Sequence, residues 1–279
     1  MLLAIDTGNT HTKLGVINDN GRILNVFRLQ TNEHRTEYEY AADMYRILKL
    51  GGINTKSITG SIISSMIPSL TETLKKAVYM ITGLDAMIVG AGLKTGLDIR
   101  LDDPGTIAPD FVCTAVAAKE MYPLPAFIIS MGTATTVTVV DDKGAYRGGV
   151  IYAGVGISLE ALVEGTSLLP NISIDPPKKT VATNTIEAMK SGAFYSTIGG
   201  LDGILDRFEA EIGPAKSIIA TGGLASHVAP YTRHKLILDD YLMLEGLKII
   251  YDKNKKQARR KGPAVKTINS ESGSGKTVE

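Results

Sequence analysis

Near the N-terminus, Asp6-Thr7-Gly8-Asn9-Thr10, followed by Lys13, gathers a carboxylate, two hydroxyls, a glycine and a cation. These residue types handle phosphate. Hydroxyls and loop N–H groups donate to its oxygens, a glycine lets backbone approach closely, and a carboxylate at a strand end is placed to hold Mg²⁺ or its waters. Gly8 and Asn9 are both residue types able to take positive φ. Taken alone, such a loop is equally an ordinary polar β-turn. The chain carries a second one, Ser130-Met131-Gly132-Thr133-Ala134-Thr135-Thr136, in which Gly132 follows Gly8, and Ser130 follows Asp6, by the same 124 positions. Self-similarity at one constant offset predicts a duplicated unit whose two polar loops face each other.

Two further stretches bear on the same chemistry. Thr221-Gly222-Gly223 ends an apolar run with a double-glycine turn, a surface on which an adenine or ribose lies flat. Asp110 follows Ala108-Pro109 in the first turn of a predicted helix reaching Met121. A carboxylate there complements the helix dipole and caps free N–H groups, and it gains a catalytic reading only if a phosphate site faces it. His11, His34, His227 and His234 form no metal-ligand spacing, and Cys113, among Phe111, Val112, Ala115 and Val116, reads as a small buried side chain.

The elements that must position these residues alternate between strand and helix. Leu2 to Ile17 reads as a hairpin and Arg22 to Leu29 as a third antiparallel strand after the turn Asn18-Asp19-Asn20-Gly21. Helices are predicted over Thr36–Leu50 and Pro68–Ile81, with strands at Ser57–Ser64 and Ala86–Val89. Leu97 to Gly105 reads as a turn-rich loop. The second half repeats the plan: strands Ala126–Ile129, Val137–Val140 and Ala145–Ile151, then a helix over Ser158–Val163 and a surface loop around Asp175-Pro176-Pro177. A long helix over Thr183–Ile212, broken near Gly199-Gly200, precedes the strand into Gly222, a strand Lys235–Leu238 and a helix from Tyr241 to about Asp252. This is an α/β fold.

The predicted organisation is an N-terminal α/β domain over 1–122, a C-terminal α/β domain over 123–252, and a basic, then Ser/Gly-rich, disordered tail over 253–279. With 279 residues, 44% of them hydrophobic, the chain can bury a substantial core. Its 30 basic and 29 acidic side chains leave a net charge of +1, which gives no electrostatic reason to expect nucleic acid or membrane binding. No apolar run is long enough to span a bilayer. The opening strand pattern is unlike a signal peptide, and one cysteine cannot form an intramolecular disulfide, so a cytoplasmic location is expected.

Asp6-Thr7-Gly8-Asn9-Thr10 with Lys13, Gly132-Thr133-Ala134-Thr135-Thr136, Gly148-Gly149, Asn184-Thr185 with Ser191-Gly192, and Thr221-Gly222-Gly223-Leu224-Ala225 together resemble the type III pantothenate kinases. The resemblance runs from Met1 to about Tyr251. It implies duplicated ribonuclease H-like domains of the acetate and sugar kinase/Hsp70/actin type, with a nucleotide cleft between them. It further implies ATP-dependent phosphorylation of pantothenate, the first step toward coenzyme A. Carried over by position, Asp6 to Lys13 would bind ATP phosphates with Mg²⁺, Gly132 and Thr133 would contact ATP from the second loop, Gly222 and Gly223 would form the adenosine turn, and Asp110 would be the general base. Thr185 would touch pantothenate across a dimer interface.

The departures from the family pattern fall on the substrate side. Gly-Ala-Asp-Arg around the base becomes Ala108, Pro109, Asp110 and Phe111, which removes the arginine expected to pair with the substrate carboxylate. The aspartate usual at the start of the second loop, a monovalent-cation (K⁺ or NH₄⁺) position, is Ser130; a tyrosine usual near the substrate is Leu101; the usual Pro-Gly of the later loop is Ala153-Gly154. Two expectations follow: an active kinase with a rearranged acid pocket, or a catalytically weak nucleotide-binding subunit that pairs with a fuller homologue; a dimer is expected, as a homo- or hetero-oligomer.

Overall fold

A computed structural model describes residues 1–258 of the chain. Its first half runs β1 (Leu2–Thr7), β2 (His11–Ile17), β3 (Ile23–Gln30), α1 (Glu37–Leu50), β4 (Gly60–Ser65), α2 (Pro68–Thr82), β5 (Met87–Ile88), β6 (Asp98–Ile99) and α3 (Pro109–Met121). The second half runs β7 (Ala126–Met131), β8 (Ala134–Val140), β9 (Ala145–Ala153), α4 (Val155–Glu164), α5 (Thr185–Ile212), β10 (Ser217–Thr221), α6 (Ala225–Val228), β11 (Ile237–Leu238) and α7 (Leu242–Ala258).

The duplication is visible in the strand order. One sheet is β3-β2-β1-β4-β5, and the other, β11-β10-β7-β8-β9-β6, contains the same arrangement read backwards, with β6 added at its edge. In each, the first three strands form an antiparallel meander and the fourth pairs in parallel with the first. Even the irregularity matches, since the register shifts at Val16/Ile17 in one copy and at Val139/Val140 in the other. β1 buries Leu3 and Ile5 on one face and Leu2 and Ala4 on the other. A strand covered on both faces must be apolar throughout until it reaches the cleft, where Asp6 begins the polar loop.

Helices close the faces. α1 and α2 cover the outer face of the first sheet through Tyr40, Met44, Leu48, Leu70 and Leu74. α1 starts with a capping box, Thr36 accepting from the Glu39 amide while the Glu39 carboxylate accepts from Thr36 N. On the inner face, α7 returns from the end of the chain to pack Leu244, Leu247 and Ile250 against Leu2, Ala4 and Ile62. α3 lies between the sheets, with Val112, Cys113 and Val116 toward α7 and Ala115, Ala117 and Ala118 toward β7 and β8.

The α3–α7 contact is close enough to need glycine. A Cβ on Gly246 would stand 2.0 Å from the Cys113 carbonyl oxygen, which is backbone and cannot swing aside. Gly246→Ala is therefore expected to cost about 2 kcal/mol, roughly 4–8 °C in Tm. Because Cys113 is one turn from Asp110, it should also lower activity more than the stability loss explains. Thermal melts paired with turnover assays on the folded variant check both effects.

Neither Gly8 nor Asn9 takes positive φ, so the first loop needs no left-handed residue. Three expectations need correction. α5 runs unbroken through Gly199-Gly200, because the flanking Ile198, Leu201 and Leu205 anchor it on the second sheet and neither glycine is needed for a bend. Asp98–Ile99 in the expected loop forms β6, pairing in parallel with Ala145 and Tyr146. α7 continues to Ala258, into the segment read as tail: Lys253 Nζ bonds Glu120 and the Thr95 carbonyl, and Asn254 bonds both backbone groups of Lys94. The rest of that tail, 259–279, lies outside the described residues.

Candidate functional site

The two loops meet. Thr10 Oγ1, between β1 and β2, lies 3.1 Å from Thr133 Oγ1, between β7 and β8. Each loop is braced the same way: the Gly8 amide donates to the His11 carbonyl at 3.0 Å and the Gly132 amide to Ala134 at 3.1 Å. That commits two amides to the loops themselves. The amides of Asn9, Thr10 and Thr133 have no acceptor among the described residues, so they are the donors left for an incoming anion. A Cβ on Gly8 or Gly132 would meet only ordinary contacts, at 3.6 and 3.7 Å. The missing side chain at these positions leaves the loop surface open; it relieves no clash.

Gly154 at the start of α4 holds the second loop in place. Its amide donates to the Thr133 carbonyl at 3.1 Å, and a Cβ there would stand 2.4 Å from that same oxygen. Gly222 is equally constrained, with φ +103° and a Cβ position 2.4 Å from the Met131 carbonyl oxygen, whereas Gly223 has open space beside it. The double-glycine turn therefore packs one glycine beneath the second loop and presents the other outward.

Beside the loops, Asp6 pairs in register with Lys13 on β2 and with Ser64 on β4, so all three side chains share the inner face of the first sheet. Asp6 keeps part of its surface accessible, yet burial dominates its electrostatics and pushes the carboxyl up to about 6; Lys13 opposes the rise and Asp110 adds to it. Asp110, in the first turn of α3, accepts a hydrogen bond from the Phe111 amide at 2.8 Å. Burial raises its pKa too, against the pull of the neighbouring amides. The dipole-capping reading and the catalytic one thus coexist: one carboxylate oxygen serves the helix start, and the group as a whole interacts with Asp6. Beneath both lies Cys113, fully buried against Ser64, its thiol raised well above the ordinary value by burial and by the two carboxylates. A thiol so disfavoured as an anion is packing, as the sequence suggested.

Thr7 departs from its expected role. The alternation of β1 turns it to the opposite face from Asp6, fully buried, where its Oγ1 has no hydrogen-bond partner among the described residues. Its hydroxyl cannot be the phosphate donor the sequence suggested. Ser130 is flanked in register by Thr136 and Thr221, so its two strand partners, like Ser130 itself, carry neutral hydroxyls.

The substrate-side positions form an apolar wall. Phe111 stacks on Tyr146 with ring centroids 6.5 Å apart, and Leu101 and Ile107 pack into the same cluster. Ala108 and Pro109 begin α3 without a side-chain cap. Thr185 sits exposed at the start of α5, behind its N-cap Asn184. Among the described residues no hydrogen bond or ion pair joins it to either loop. Sequence reasoning missed Ser64 and Tyr146, both brought to the site by strand pairing and stacking with no local signature.

A family model described as type III pantothenate kinase matches residues 2–207. The chain belongs to the type III pantothenate kinase family. Relatives so named in Halalkalibacterium halodurans and Geobacter sulfurreducens are each 40% identical, covering 91% of this chain and 100% of their own length. The kinase also resembles in fold a ROK family glucokinase from Streptomyces griseus, solved with glucose and AMPPNP, at a TM-score of 0.51 and 12% identity over 90% of this chain and 98% of that one. A comparable likeness, TM-score 0.50 at 12% identity over 93% and 97% of the two chains, holds for an activator of 2-hydroxyisocaproyl-CoA dehydratase from Clostridium difficile with bound ADPNP. The duplicated α/β architecture of the acetate and sugar kinase/Hsp70/actin type is therefore that of the kinase as well. No helix among the described residues is long and apolar enough to cross a membrane.

Proposed function

We propose that this chain uses ATP to phosphorylate the primary hydroxyl of pantothenate, the first step of coenzyme A synthesis. The observation that carries the reading is the convergence of two matching loops, joined at Thr10 and Thr133, beside the interacting carboxylates Asp6 and Asp110. Phosphoryl transfer asks for positioned charge and an in-line hydroxyl more than for covalent chemistry, and this arrangement offers both.

In this reading the triphosphate takes the free amides of Asn9, Thr10 and Thr133 and the hydroxyls that now meet each other, while the nucleoside lies on the open face at Gly223. Asp110 accepts the proton of the pantothenate hydroxyl. That oxygen bonds to the γ-phosphorus, the bond from γ-phosphorus to the β–γ bridging oxygen breaks, and the electron pair leaves with ADP. A raised carboxyl pKa suits a base whose conjugate acid must form at neutral pH.

The donor set at Asp6 fits a divalent cation, since two carboxylates interact there and only Lys13 opposes them. Magnesium bound at Asp6 supplies charge neutralisation for the phosphates. Around Ser130 no comparable anionic set exists among the described residues, and no step is derived through K⁺ or NH₄⁺.

The apolar wall of Leu101, Phe111 and Tyr146 suits the dimethyl-bearing half of pantothenate. Its carboxylate end lacks the usual arginine, and Thr185 of a second copy is our assignment there. Exposed Ile151, Ile157, Leu162, Val181 and Ile186, on or beside α4 and the start of α5, offer apolar surface for a homodimer to cover. We place the enzyme in the cytoplasm and its two nucleotide-binding halves on the two sheets, with β6 of the first half joining the second sheet and α7 packing back on the first. No observation favours the weak-partner-subunit reading.

Mass spectrometry of the product formed from pantothenate and ATP tests the assignment: an added phosphate on pantothenate is expected, and phosphate released only to water overturns it. Gly154→Ala supplies a second check. Its Cβ would push the second loop away at Thr133, so the KM for ATP should rise about tenfold, the equivalent of losing roughly one charge-assisted hydrogen bond, while the protein stays folded.

A further inference from the structure

The pairing register places one more cation on the cleft side of the first sheet. Asp6 pairs with Lys13, and Lys13 pairs with Arg28 on β3. Residues paired across neighbouring strands share a face, so Ser64, Asp6, Lys13 and Arg28 form a row across four strands. α7 covers the lower part of that face, where Gly15 meets Leu244, and the row lies beyond it toward the loops. Arg28 is exposed, and among the described residues its guanidinium makes no hydrogen bond or ion pair. The matching row of the second sheet, Thr221, Ser130, Thr136 and Ile151, carries no charge. Of these two rows, the positive charge is therefore carried by β2 and β3.

The direction of the row fixes what Arg28 can meet. α3 packs on β4 and carries Asp110, so the attacking hydroxyl approaches from the β4 side of Asp6. Lys13 and Arg28 lie on the other side. In-line displacement at a γ-phosphorus held above Asp6 puts the β-phosphate, where the negative charge gathers as the bridging bond breaks, toward Lys13 and Arg28.

Resting on the kinase reading above, we propose that Arg28 is a binding residue for the β-phosphate end of the nucleotide, a second cation beyond Lys13 that holds ADP as it forms. A guanidinium at the sheet edge is long enough to fork onto phosphate oxygens, which a lysine meets only as a point charge.

The test uses the full chain with Arg28→Ala, Arg28→Gln and Arg28→Lys, and reads two quantities. The first is ADP affinity by calorimetry in magnesium, which needs no pantothenate. The second is the KM for ATP against the KM for pantothenate. The expected result is a roughly tenfold to hundredfold loss of ADP affinity and a matching rise in the KM for ATP in Arg28→Ala and Arg28→Gln. Arg28→Lys should recover part of both, and the KM for pantothenate should not move. Unchanged ADP affinity in folded Arg28→Ala and Arg28→Gln, or a rise confined to the KM for pantothenate, overturns the proposal. If the parent chain binds ADP without phosphorylating pantothenate, the kinase reading fails while the ADP measurement still decides Arg28.

Discussion

Asp110→Asn is expected to lower pantothenate-dependent turnover by about 10²–10⁴-fold, the usual contribution of a general base, with little change in either KM. The substitution is nearly isosteric, and the asparagine side-chain oxygen can still accept from the Phe111 amide, as the carboxylate does at 2.8 Å. The start of α3 should therefore survive, and ADP affinity should stay within about twofold of the parent. What the variant loses is the ability to take a proton. Steady-state kinetics with both substrates varied separates the outcomes: a rise in KM with kcat preserved would make Asp110 a binding group and remove it as the base.

Asp6→Asn is expected to act in two opposite directions. Its carboxyl is raised from 3.8 to about 6 in the folded chain, first by burial. A carboxyl that holds its proton more tightly when folded favours the folded state at low pH, and that contribution is lost as pH rises from about 4 through about 6. At neutral pH the ionised group is a cost to the ligand-free protein. The full shift corresponds to about 3 kcal/mol, and the part of Asp6 that faces the open cleft is solvated, so the neutral amide should gain about 1–2 kcal/mol. Activity should fall about 10²–10³-fold, because the charge that holds magnesium is gone. Magnesium affinity of the ligand-free parent should likewise decline as pH falls through about 6, where Asp6 takes up its proton. Urea melts of parent and variant at pH 5 and 7.5 check the stability half: the difference should be larger at pH 7.5. A variant equally destabilised at both pH values would contradict the electrostatic account.

Much of this was legible in the sequence because the information is local. The hairpin around Gly8, its copy around Gly132, and the apolar periodicity of α1 and α2 depend on neighbours a few residues away, and their strand and helix positions follow the pattern closely. The carboxylate of Asp110 at a helix start was equally local. What stayed hidden depends on long-range pairing. Ser64 stands beside Asp6 only because β1 and β4 run in parallel, and Arg28 joins the row only through the register of β2 with β3. Thr7 is hidden from a local reading because composition places a hydroxyl in a loop while strand alternation decides which face it serves. The glycines of α5 suggested a break that burial of Ile198, Leu201 and Leu205 overrides, since tertiary packing outweighs the roughly 1 kcal/mol penalty of each glycine in a helix. The apparent loop at Asp98–Ile99 lacks any strand-length pattern and becomes a strand by lying against β9.

The central claim is that one kind of chain, with an apolar residue where the family usually has its substrate arginine, completes the reaction. It is tested most directly by following ADP release from the purified protein, with and without pantothenate, at saturating magnesium and ATP. The account predicts ADP release that depends on pantothenate, saturates with it, and yields one phosphopantothenate for each ADP. ADP release indifferent to pantothenate, or turnover that appears only after a second, different homologue is added, would contradict it.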